Sequence, residues 1–79
     1  MSIVGKNIQI LRMKKRMSQN DLAKKISVSF QDISDYETGK SEPDIDTLVK
    51  IADILETDAN TLIYGIPDET SIRTKRRQI

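Results

Sequence analysis

The 79-residue chain contains no cysteine and no histidine. The first absence removes disulfide staples and thiolate metal sites. The second removes the commonest general base and the commonest zinc ligand. A nucleophile–base pair would have to be assembled from serine or lysine, and the serines stand where helix caps are expected. Catalysis is therefore not expected, and no cofactor is called for. No apolar run approaches the roughly 20 residues that a membrane span needs, and the N-terminus does not read as a signal peptide. A secreted domain of this size would ordinarily be stapled, so a cytoplasmic location is the expectation. Runs alternating apolar and polar residues are also missing, as are internal repeats, so no strand is predicted.

The length fits one domain, and a domain this small buries only about 60–65% of its unfolded surface. The net charge of +1 conceals an asymmetry. Positions 1–26 carry seven Lys/Arg against one Asp, positions 27–70 carry Lys40 and Lys50 against eleven acids, and positions 71–79 add four Lys/Arg and no acid. A basic front and a basic tail around an acidic middle suggest an anionic partner met by one face. Solvated helix surfaces are the plainer reading of the same counts.

The stretch from Ser18 to Glu37 organises the rest. Ser18 with Asp21, and again Ser29 with Asp32, form capping-box spacings that open two short helices. Leu22, Ala23 and Ile26 place an apolar face on the first, and Ile33 and Tyr36 on the second. Ser27-Val28-Ser29 is the break between them, with Val28 expected beneath it. Helices of about eight residues are marginal alone, so they must pack on neighbours. Val4, Ile8 and Leu11 mark a preceding helix over Ile3–Arg16, with Met17 turning inward. Gly39 ends the third helix in the left-handed region, and Pro43 prevents helical continuation before it. Asp44 caps a fourth helix, Ile45–Leu55, with Leu48, Ile51, Ala52 and Leu55 inward. Asp58 caps a fifth, Ala59–Tyr64, bringing Leu62 and Ile63 inward, with Gly65 and Pro67 as its stop. Glu42, Asp44 and Asp46 lack the glycine and terminal glutamate of a calcium loop, so capping explains them better than metal. Residues 1–66 form the predicted domain, and 67–79 a basic C-terminal tail.

These residues carry a resemblance over about Val4–Gly65. Ile8, Leu11 and Arg12, then SQNDLAKKI (Ser18–Ile26), Val28-Ser29, Ile33, Tyr36-Glu37-Thr38-Gly39-Lys40 with Pro43, TLVKIADIL (Thr47–Leu55) and LIYG (Leu62–Gly65) are similar to the lambda-repressor-like helix-turn-helix domains of the Xre/Cro family. The combination of Gln19, Leu22-Ala23, Ile33 and Glu37-x-Gly39-x-x-x-Pro43 is specific as a set. The resemblance implies an all-α, five-helix bundle that binds double-stranded DNA, usually as a homodimer, to repress or activate transcription. Ser27 departs from the family at a turn position where glycine is common.

Docking physics gives the candidate contacts. The second helix of such a motif enters the major groove with its N-terminal residues at base edges. That makes Ser29, Phe30, Gln31, Ser34 and Asp35 the candidate readers. Gln31 suits adenine N6/N7 and Asp35 suits cytosine N4. Phe30 is expected to be exposed and to reach a thymine methyl, because Ile33 and Tyr36 already define the buried stripe. By resemblance, Gln19, Lys40 and Lys6 are phosphate contacts, with Gln19 helped by the positive end of its helix. The resemblance also implies a partly buried pair between Arg12 and Glu37, linking the first helix to the end of the third. Asp32 and Asp35 put two negative charges on the reading helix, which weighs against tight binding. The dimer surface is expected at Leu62–Ile66 and the tail. The alternatives are a protein-interaction module of the same fold, such as an antitoxin-like partner using Phe30 and the acidic middle, and a membrane-surface anchor at Arg73–Arg77.

Overall fold

The computed structural model describes residues 3–65, which form five helices: α1 Ile3–Lys14, α2 Gln19–Ile26, α3 Phe30–Thr38, α4 Ile45–Ile54 and α5 Ala59–Tyr64. The tail expected at 67–79 lies outside the described residues. Among the described residues no helix is long and apolar enough to cross a membrane, and no group of three or more acidic side chains is placed to hold a metal ion.

Each helix start after α1 is fixed by a side chain. The Ser18 Oγ accepts from the Asp21 N–H at 2.9 Å while the Asp21 carboxylate accepts from the Ser18 N–H at 3.0 Å. Ser29 and Asp32 repeat the box at 3.0 and 3.1 Å. Asp44 and Asp58 accept from Thr47 and Thr61 N–H groups, each at 2.8 Å.

The helix ends share a second device. Arg16, Ser27, Gly39 and Glu56 all adopt left-handed backbone, with φ of 57°, 60°, 82° and 57°. In each case the following N–H reaches back five residues: Met17 to the Arg12 carbonyl (3.1 Å), Val28 to Ala23 (3.0 Å), Lys40 to Asp35 (2.9 Å) and Thr57 to Ala52 (2.9 Å). This is the Schellman closure, which satisfies carbonyls that a helix end leaves without partners. It explains why α1 stops at Lys14 rather than Arg16, and why Leu55 caps α4 instead of continuing it. Only one of the four positions is a glycine, so the other three carry the strain of a Cβ in that region.

Ile8, Leu22, Ala23, Ile26, Ile33, Leu48, Ile51, Ala52, Leu55 and Leu62 form the core. Val4, Leu11, Met17, Val28 and Tyr36 pack against it half-buried. Full burial of a side chain such as Ile8, Ile33 or Ile51 contributes about 1.5–3 kcal/mol, which stabilises helices too short to persist alone. Two α1 residues set how the layers meet. Gly5 lies against α3 so closely that an added Cβ would stand 2.0 Å from the Tyr36 carbonyl oxygen. Asn7 is buried, and its Nδ2 donates to the carbonyls of Leu62 (3.0 Å) and Thr61 (3.4 Å), tying α1 to α5.

Gly5→Ala is expected to push α1 off α3, because the obstacle is backbone that cannot swing aside. Overpacking of this kind costs about 1–3 kcal/mol, which a thermal melt of a domain this size reads as a drop of roughly 4–8 °C per kcal/mol.

The capping carboxylates give an acid limb. Asp21 is held below the usual Asp value by the Ser18 N–H and then its hydroxyl. Asp44 is lowered by the Thr47 side chain and N–H, and Asp58 by the Thr61 N–H and side chain. A group whose pKa is lowered on folding stabilises the fold above its unfolded value, about 3.9 for Asp. That contribution is lost as pH falls through the lowered folded value. Melting temperature should therefore decline on acidification below about pH 4, and the decline should be shallower in an Asp44→Asn/Asp58→Asn variant.

Candidate nucleic-acid interface

Local sequence sets the angle between α2 and α3. The left-handed Ser27 turns the chain, Val28 goes inward, and Ser29 starts α3 two residues later. The turn therefore leaves no room for slack between the helices.

α3 divides by face. Ile33 and Glu37 are buried and Tyr36 is half-buried. Positions three and four apart share a helix face, so Gln31, Asp35 and Thr38 form the ridge opposite the core. Phe30 and Ser34 lie on one flank of that ridge. Phe30 is 52% exposed, Gln31 is exposed, and Ser34 and Asp35 are half-exposed. The Gln31 Nε2 donates to the Asp35 Oδ1 at 2.9 Å. Thr38 turns its hydroxyl back to the Ser34 and Asp35 carbonyls at 3.0 and 3.3 Å. Ser29 is exposed, but its oxygen serves the cap.

Asp32 and Asp35 therefore have different local roles. The Asp32 carboxylate is engaged with the Ser29 N–H at the positive end of the helix. The Asp35 carboxylate accepts from the Gln31 amide. Burial, followed by the fields of Asp32, Asp44 and Asp35, raises the Tyr36 phenol above its ordinary value and keeps it protonated.

Behind α3 lies an ion-pair cluster. Arg12 donates through Nε to the Glu37 Oε2 at 2.7 Å and through a terminal nitrogen to Oε1 at 3.1 Å. Its other terminal nitrogen donates to the Met17 carbonyl at 2.6 Å. Gln19, the first residue of α2, donates Nε2 to the same Glu37 Oε1 at 2.9 Å. One carboxylate thus joins α1, α2 and α3, and no buried side-chain nitrogen or oxygen among the described residues lacks a partner. The Arg12–Glu37 pair was readable through the family resemblance. Gln19 as its third member was not, since a residue opening a helix gives no sign of reaching across to the next.

Lys6 and Lys40 are exposed. Lys6 follows Gly5 beside the C-terminal half of α3, and Lys40 follows the Gly39 closure of the same helix. A shallow basic concavity lies elsewhere, lined by Lys15, Arg16, Met17, Asp21, Lys24 and Lys25, with Lys15 paired to Glu56. Of the expected dimer surface, Leu62 belongs to the core and cannot present itself to a partner. Tyr64 is 80% exposed, and residue 66 and the tail lie outside the described residues.

Removing either member of the Arg12–Glu37 pair should leave a buried charge unmatched, at a cost of about 3–5 kcal/mol. Arg12→Ala or Glu37→Ala is expected to melt far below the parent in calorimetry, and an unshifted transition would contradict the assignment.

Comparison with known proteins agrees with this architecture. Residues 8–62 match a protein family described as helix-turn-helix. The chain is similar to an uncharacterized HTH-type transcriptional regulator of Bacillus subtilis, YqaE, with 27% identity over 75 residues covering 95% of this chain and 65% of the relative. Among solved structures it is similar to the P22 c2 repressor in complex with a synthetic operator (TM-score 0.77, 28% identity, 82% of this chain and 98% of that one). It is also similar to SinR, the master regulator for biofilm formation, in complex with DNA (TM-score 0.71, 30% identity, 75% and 95%). The chain spans about half to two thirds of the length of the first three curated relatives it matches.

Proposed function

This chain belongs to the helix-turn-helix family, and on that premise we propose that it is a sequence-specific, double-stranded-DNA-binding transcriptional regulator, acting as a repressor in the cytoplasm. The observation that carries the reading is the outward ridge of α3. Gln31 and Asp35 project opposite the core, and Phe30 stands 52% exposed beside them. A cap at one end and the Arg12–Glu37–Gln19 cluster at the other hold that helix rigid. Repressor–operator and SinR–DNA complexes among the similar structures support the same reading.

In this reading α3 enters the major groove. Gln31 pairs with adenine, Phe30 meets a thymine methyl, and Ser29, Ser34 and Asp35 approach neighbouring base edges. Lys6 and Lys40 flank the groove and contact phosphate, as does Gln19 at the positive end of α2. Two copies read half-sites about 34 Å apart.

The test is titration of the chain against duplexes selected from a random pool, across a range of salt. The logarithm of affinity should fall linearly with that of salt, by about 0.9 per phosphate neutralised. Lys40→Ala should weaken all duplexes alike and reduce the slope by about 1. Gln31→Ala should instead cost about 1–3 kcal/mol at a single base pair. A chain that enriches no duplex would point to a protein partner instead.

A further inference from the structure

Resting on the reading that Gln31 faces bases, we propose that Asp35 is a positioning residue that locks the Gln31 amide and so makes the site reject guanine. The Gln31 Nε2 lies 2.9 Å from the Asp35 Oδ1. An ionised carboxylate can only accept, so this hydrogen bond must use the amide nitrogen, and the amide has one orientation. Turning it over would set Oε1 against Oδ1, two acceptors without a proton between them.

The lock has a chemical consequence. One of the two Nε2 protons is committed to Asp35, which leaves Gln31 with one N–H and one carbonyl lone pair facing outward. Adenine offers the complement in the major groove, a donor at N6 and an acceptor at N7. Guanine offers two acceptors, O6 and N7. An untethered glutamine meets guanine by turning both N–H protons to it, whereas a tethered one confronts O6 with its own carbonyl. The discrimination therefore arises from a residue one turn away from the base being read. A simple i,i+4 helix-stabilising contact, worth about 0.2–0.5 kcal/mol, would leave base preference untouched.

The experiment uses the full chain and a duplex set differing only at the pair read by Gln31, with affinities measured by fluorescence anisotropy. The parent is expected to prefer adenine over guanine by roughly 10- to 100-fold. Asp35→Ala should reduce that ratio to about 3-fold or less, mainly by improving guanine. Asp35→Asn can donate as well as accept, so it permits both Gln31 orientations and should lose much of the ratio, whereas Asp35→Glu keeps an acceptor-only carboxylate and should retain most of it. A parent-like ratio in Asp35→Ala, with specific binding intact, overturns the lock and leaves the functional reading standing. So does an equal loss in Asp35→Ala and Asp35→Glu, since Glu keeps the carboxylate that would hold the amide. A parent that binds no duplex overturns both.

Discussion

The geometry rests on one carboxylate. Glu37 lies near the end of α3, is 5% exposed, and accepts from Arg12 on α1 and Gln19 at the start of α2. A buried charge is tolerated only when its neighbours fill its hydrogen-bonding capacity. Here they do so from two other helices, so burial and orientation cannot be separated. The same guanidinium accepts the duty of holding the Met17 carbonyl, where the chain leaves α1. Helix α3 is consequently held in position by polar groups with directional preferences, on top of the apolar packing of Ile33.

Around that anchor, close approach does the remaining work. Gly5 lets the α1 backbone approach the α3 backbone directly, and Asn7 draws α5 to α1 through its last carbonyls. Neither contact is large in area. Each removes a freedom that the apolar core, being non-directional, would leave open.

Much of this was legible in the sequence because it depends on local rules. Ser18/Asp21, Ser29/Asp32, Asp44 and Asp58 announce four helix starts through chemistry confined to four consecutive residues. Leu48, Ile51, Ala52 and Leu55 announce a face through spacing. The Arg12–Glu37 link was visible only through a family resemblance, since 25 positions separate the two. Gly5 and Asn7 gave no signal, for their roles exist only once α3 and α5 are laid against α1. The ends at Arg16 and Glu56 were hidden for a different reason. The closure is usually marked by glycine or asparagine, and these residues carry neither mark. On α3, Gln31 and Asp35 stood out singly as base-edge candidates, but the hydrogen bond between them required coordinates.

Those unmarked corners carry a consequence for the unfolded chain. Glycine at all four closures would relax the folded backbone, but it would also widen the denatured ensemble, whose breadth opposes folding. Arginine, serine and glutamate keep that ensemble narrower at the cost of torsional discomfort in the native state. For a polypeptide with so little interior to draw on, stiffness before folding is a second source of stability, and it is invisible in any inventory of native contacts.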